Sequence, residues 1–231
     1  LICFLLLYPL WMNSAVSQNI NNQLLSNQLE EILNKRKYNL LKDLFLDKSF
    51  KQFNKKYIDF TKNYKDTQWS IKTISNHPDK ILLDVEITST RKIDDQIYNL
   101  NSKQTVKIET LKNKIKSYKV IYEESILNSE KSPLIVKVNS PDKVLTGERY
   151  EVNLIIEKPL DNSLIASGMI VIENNENINI SNDEFGIKPN QSGGLFKYVQ
   201  APLEAGSQTI SAIITHPEGI YSITKTIKVG L

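Results

Sequence analysis

From Trp69 onward the apolar residues of this chain recur at every second position, whereas before it they recur at every third or fourth. Side chains share a face every ~3.6 residues on a helix and every two on a strand. The change of period therefore commits residues 19–64 to helices and the remainder to sheet. Leu24, Leu25, Gln28, Leu29, Ile32 and Leu33 form one amphipathic face. Phe50, Phe53, Tyr57 and Phe60 form another, with Lys51, Lys55, Lys56 and Lys62 on its wet side. Asn39 or Asp47 is placed to cap the intervening turns, which gives three helical segments in a row.

After Trp69, Gln68 to Ser75 alternates, and His77-Pro78-Asp79-Lys80 has turn chemistry. Leu83, Val85 and Ile87 alternate with polar residues, residues 91–95 read as a polar turn, and Val106 and Ile108 mark a third strand. Asn113-Lys114 makes a tight connection, after which Tyr118, Val120 and Tyr122 are expected on one face of a fourth strand. Helices followed by an antiparallel meander indicate an α+β fold. Residues 128–132 read as a polar linker ending at Pro133. Beyond it, strands are expected at 134–139, 150–156, 164–172, 195–200, 209–216 and 220–229, separated by Pro141-Asp142, residues 159–162, Ser192-Gly193-Gly194 and Pro217-Glu218-Gly219. That spacing indicates an all-β sandwich, with Asn-rich residues 174–182 as a loop or weak edge strand. No internal repeat of fixed period appears.

The chain carries a net charge of +3, divided into 21 basic and 15 acidic residues over 19–131 and 8 basic and 11 acidic over 132–231. This asymmetry supports a boundary near 131. The lysines are interspersed with acids and arginine occurs only at Arg36, Arg91 and Arg149, so no nucleic-acid partner is expected. Asn, Lys and Ile enrichment reads as an AT-rich bacterial coding sequence.

The first twelve residues are apolar and uncharged, followed by a step to Ala15-Val16-Ser17. This resembles the apolar core and cleavage site of an export signal, with Ala15 and Ser17 at the positions a signal peptidase reads. The run is shorter than the ~20 residues of a spanning helix. It lacks a basic stretch before it, which predicts a few residues upstream of Leu1. The expected division is a signal over 1–17, an α+β domain over 18–131 and a sandwich over 132–231. The protein is expected in the periplasm or at the cell surface, the alternative being a membrane anchor through residues 1–12. The sole cysteine, Cys3, sits too early in the run for lipid attachment. At 40% hydrophobic overall, the chain can bury a core without disulfides.

Residues 69–72 (Trp-Ser-Ile-Lys), 104–108 and 113–118, coming after three helices, resemble the nuclear-transport-factor-2-like superfamily, with Asn113-Lys114 where many relatives carry an Asp-Gly-Lys-Ile turn. The resemblance covers residues 21–127. It implies a cone in which a curved antiparallel sheet wraps a long helix, often around a pocket, and often a homodimer formed across the sheet. Residues 140–142, through Gly147-Glu148 into the strand at 150–156, and the hairpin 210–229 resemble bacterial immunoglobulin-like domains. They lack the cysteine pair and core tryptophan of antibody domains, and the likeness implies a spacer or docking module.

Some relatives of the cone are isomerases or dehydratases. Asp43, Tyr57, Asp59, Tyr64, Tyr98, Tyr118 and Tyr122 are the titratable groups to weigh, and none stands in a motif matching a catalytic position. His77 and His216 each precede a proline in a turn, in different halves of the chain. Asp94-Asp95 and Asp183-Glu184 lack the spacing of a calcium loop. No catalytic residue, metal ligand or cofactor is therefore expected. The expected function is non-enzymatic binding or assembly at the envelope, through a protein or other envelope component, with Trp69 and Tyr118 as pocket or partner contacts. A membrane is involved only if the N-terminal segment is retained. A small-ligand carrier or enzyme is the competing expectation, and it requires a concave apolar cavity with converging polar groups.

Overall fold

Among the described residues three helices precede the sheet: α1 (Met12–Asn34), α2 (Tyr38–Leu44) and α3 (Asp47–Asn63). The computed structural model describes residues 12–77, 80–158, 163–173, 185–190 and 193–230. The candidate turns at Pro78-Asp79, 159–162 and Ser192, the acids Asp183-Glu184, the Asn-rich segment 174–182, Cys3 and most of the apolar run lie outside those residues. Ala15 and Ser17 fall in the first turns of α1. Among the described residues, no helix is long and apolar enough to cross a membrane.

The α1 stripe buries Leu25, Leu29 and Leu33, while Leu24, expected on the same face, is exposed. The helix ends where Arg36 turns into the left-handed region (φ 53°), with the Lys37 amide donating to the Ile32 carbonyl. This Schellman-type stop is more usually built on glycine. Neither Asn39 nor Asp47 caps a helix. Lys37 and Leu46 occupy the cap positions of α2 and α3, and neither makes a side-chain cap hydrogen bond. Asp47 instead stands in the first turn of α3, where its charge favours the helix dipole.

Long antiparallel strands follow: β1 (Gln68–His77), β2 (Lys80–Ile93), β3 (Gln96–Leu111) and β4 (Lys114–Ser129). The β3–β4 hairpin turns on Lys112 and Asn113, both with positive φ (51° and 60°), as a type I′ turn requires. Then come β5 (Val136–Asn139), β6 (Lys143–Val144), β7 (Arg149–Ile156), β8 (Ile165–Glu173), β9 (Lys188–Asn190), β10 (Gly194–Gln200), β11 (Gly206–His216) and β12 (Gly219–Val229). The fold is α+β.

The strands form one sheet in the order β1-β2-β3-β4-β12-β11-β8-β9, with β6 beside the end of β12, and a second in the order β10-β7-β5. The expected linker is not a free segment. Asn128 and Ser129 belong to β4, and Tyr221–Lys225 of β12 pair with Asn128–Glu124, so the sheet runs unbroken from the helical half into the second half. Gly219 permits this junction, because a side chain there would collide with Ser129, whose hydroxyl accepts a hydrogen bond from the Ile220 amide. Lys225, almost wholly buried, pairs with Asp142 at 2.8 Å and with Glu124 at 3.7 Å.

Two hydrophobic cores result. One gathers Leu25, Leu29 and Leu33 of α1, Leu41, Phe45 and Tyr57 with the inward residues of β1–β4. The other packs Val152, Leu154, Leu195 and Val199 of the small sheet against Ile210, Ala212, Ile214, Ile223 and Ile227 of the large one. Strand β4 borders both: Ile126 packs against the second core while Tyr118 packs against the first.

Candidate functional site

The helices are tied to both ends of the β1–β4 sheet, and a cavity remains between them. At β1, an edge strand, the Asn34 amide donates to the Trp69 carbonyl and accepts from the Trp69 N–H, each at 2.8 Å. The Glu30 carboxylate accepts from the Ile71 N–H at 2.6 Å. These side chains supply the partners a further strand would have provided, and they cover the edge. At β4, the Ile115 carbonyl accepts from the Leu46 amide at 2.9 Å and from the Ser49 hydroxyl at 2.7 Å. The Tyr57 hydroxyl donates to the Leu33 carbonyl at 3.0 Å and joins α3 to the end of α1. Burial pushes that hydroxyl up to about 12.

The space left under the helices is a cavity of about 370 Å³. An aromatic chain borders it: Tyr118 meets Phe53 edge-on at 5.6 Å, Phe53 stacks on Tyr57 at 5.8 Å, and Tyr57 lies 6.1 Å from Trp69. Phe60 completes this border against Trp69 at 5.8 Å. Trp69 and Tyr118, the two residues expected as contacts, thus belong to one aromatic wall, and both line the cavity. Among the described residues the buried Tyr118 hydroxyl has no hydrogen-bond partner, and burial raises its pKa. Of the other tyrosines and acids weighed, Tyr57 lines the cavity, whereas Asp43, Asp59, Tyr64, Tyr98 and Tyr122 do not.

The sheet supplies the floor in registered rows. Trp69, Ile87, Ser102 and Ser125 lie side by side across the four strands, and Ile71, Val85, Gln104 and Glu123 form the next row. Leu83, Val106 and Val120 follow. Glu123 and Ser125 reach this floor because β4 is bulged. Val106 pairs with Val120 but Thr105 pairs with Tyr122, so Ile121 is an extra residue that reverses the alternation. A second shift, between Glu109 and Thr110, leaves Lys116 as the extra residue and brings Ile115 and Tyr118 onto one face.

The expectation that Tyr122 shares a face with Tyr118 and Val120 is thereby corrected. Tyr122 turns to the opposite side and donates to Glu124 at 3.1 Å, and burial together with the Glu124 charge pushes it up to about 12. Strict alternation hid Glu123 and Ser125 from sequence reasoning. The only available signal was the polar run Tyr122-Glu123-Glu124-Ser125, which leaves no two-residue pattern intact.

Three of the floor's polar residues are linked. The Ser125 hydroxyl donates to Glu123 at 2.6 Å and lies 2.7 Å from the Ser102 hydroxyl. Among the described residues, Gln104 makes no side-chain hydrogen bond, and no group of three or more His, Cys, Asp or Glu is placed to hold a metal ion. The His216 ring accepts from the Glu218 amide at 3.1 Å, an arrangement that stabilises its own turn. Asp94 and Asp95 form the exposed tip of the β2–β3 hairpin.

Residues 131–230 match the family described as a domain of unknown function, DUF8623. That stretch begins at the turn after β4 and contains the second core, so it leaves the cavity outside the match. No curated protein matches the chain.

Proposed function

We propose that this chain is a non-enzymatic binding protein of the cell envelope that holds a small, largely apolar molecule between its helices and β1–β4. The cavity carries the reading. Its volume falls at the lower end of small-molecule sites, which run from ~300 Å³ upward, and its lining of aromatic and branched side chains with a few grouped polar residues has their composition. The helix ties at Trp69 and Ile115 support a preformed site, since they hold the walls apart without a ligand.

In this reading residues 18–131 are a nuclear-transport-factor-2-like cone, a view supported by helices crossing a bulged antiparallel sheet. Residues 132–231 are an immunoglobulin-like sandwich that serves as spacer or docking module, a view supported by two sheets packed face to face. Export by the N-terminal run accounts for a chain that carries no cysteine beyond Cys3. A first residue at Gln18 in protein recovered from the envelope is the expected result of N-terminal sequencing, and a retained run would replace export with tethering.

The binding claim is tested by titrating the chain with an uncharged naphthylamine dye whose emission rises in apolar surroundings. Saturable binding is expected, together with its loss in Val120→Phe, which fills the cavity floor. No saturable binding, or equal binding by Val120→Phe, overturns the proposal.

A further inference from the structure

The cavity floor is divided in half, and the division specifies the ligand's head group. On β1 and β2 the two central rows are apolar: Trp69 and Ile87 in one, Ile71 and Val85 in the other. On β3 and β4 the same rows are polar: Ser102 and Ser125, then Gln104 and Glu123. A molecule lying across the floor therefore meets hydrocarbon at one end and hydrogen-bonding groups at the other.

The direction of the hydrogen bonds shows what the polar half offers. Each serine hydroxyl has one proton to give. Ser125 commits its proton to Glu123, so in the Ser102–Ser125 contact Ser102 is the donor and Ser125 the acceptor. Both serine protons are then consumed within the protein. Within this patch, what remains is lone pairs on the Ser102 oxygen, the second Glu123 oxygen, and the Gln104 amide, the one member of the patch that retains donors. The patch is thus biased toward accepting hydrogen bonds.

Charge narrows the class further. Lys56 and Glu123 are the charged residues among those lining the cavity, one of each sign. Together they leave the lining without net charge, so a charged head of either sign gains no net attraction to offset the loss of its hydration in a largely apolar cavity. We infer that the cavity selects a ligand with a hydrocarbon body and an uncharged, hydrogen-bond-donating head of the alcohol type, seated against Ser102, Gln104 and Glu123. This inference rests on the binding reading above and adds the head-group chemistry to it.

The test uses the full chain and displacement of the naphthylamine dye by three probes that share one straight alkyl chain: decanol, decanoate and decylamine. Decanol is expected to displace the dye at a concentration about tenfold lower than either charged probe. Glu123→Gln, which replaces a carboxylate oxygen by an amide donor, is expected to narrow the gap between decanol and decanoate. Ser102→Ala is expected to weaken decanol by a larger factor than it changes the dye's own affinity. Circular dichroism of each variant checks folding, and the probe ranking in the unsubstituted chain stands without any variant.

Equal displacement by all three probes overturns the head-group inference while leaving apolar binding in place. A preference for decylamine overturns it in favour of a charge-selected cation, and a preference for decanoate overturns it outright. Failure of the dye and every probe to bind removes the binding reading itself, and this inference with it.

Discussion

Replacing Asn34 by alanine removes the clamp that holds α1 to the edge of the sheet. The amide satisfies both backbone groups of Trp69, each at 2.8 Å, and among the described residues no strand lies beyond β1 to take over. A net hydrogen bond contributes about 1 kcal/mol, and a buried group left without a partner costs more. Trp69 is only partly buried, so water recovers some of the loss, and the pair is worth about 2 kcal/mol. For a chain of this size each kcal/mol lowers Tm by about 2–4 °C, so Asn34→Ala should melt about 4–8 °C lower.

Urea unfolding followed by far-ultraviolet circular dichroism measures the change directly, with m unchanged and the midpoint lowered. Asn34→Asp supplies an internal comparison, because it keeps the acceptor for the Trp69 N–H but sets a carboxylate oxygen against the Trp69 carbonyl oxygen. Its destabilisation should be no smaller than that of alanine, because the two oxygens repel. A loss below about 0.5 kcal/mol for Asn34→Ala, the range of an ordinary surface substitution, would refute the clamp.

Three further outcomes follow from the same contacts. Tyr118→Phe removes a buried hydroxyl that has no partner, so urea unfolding should show stability unchanged or raised by up to about 1 kcal/mol, whereas a loss larger than that would mean the hydroxyl is bonded. Burial holds Tyr57, Tyr150 and Tyr221 at about 12 against an ordinary 10.0. The unfolded chain then loses these protons first, so stability is intact below pH ~10 and declines as pH rises toward 12, and ultraviolet titration should show phenolate appearing together with unfolding. A fragment ending at residue 131 keeps the first core but bares the β4 edge that pairs with Tyr221–Lys225, so it should retain its helical signal and self-associate on size exclusion, and loss of the helical signal would show that the two halves fold only together.

The helical stripe and the hairpins were legible in the sequence because they rest on local rules. Leu25, Leu29 and Leu33 repeat at helical spacing, and the connection at Lys112-Asn113 was placed within one residue. Trp69 and Tyr118 stand out by their place in a resemblance, and both reach the cavity. What escaped is non-local. Nothing near Asn128 indicates that β12, almost a hundred residues later, will pair with it, so a strand end read as a linker. The bulge at Ile121 depends on register against β3, and it alone turns Glu123 and Ser125 inward. The cavity is less legible still, because it is set by how far the Asn34 and Ser49 ties hold the helices from the floor.

Ligand occupancy of the cavity is read most directly from the methyl spectrum of isoleucine-labelled chain during titration with decanol. Ile71, Ile87, Ile108 and Ile115 line the cavity, while Ile210, Ile214, Ile223 and Ile227 lie in the second core. Saturable shifts confined to the first group are expected. Shifts confined to the second group, or none that saturate, would contradict binding in the cavity.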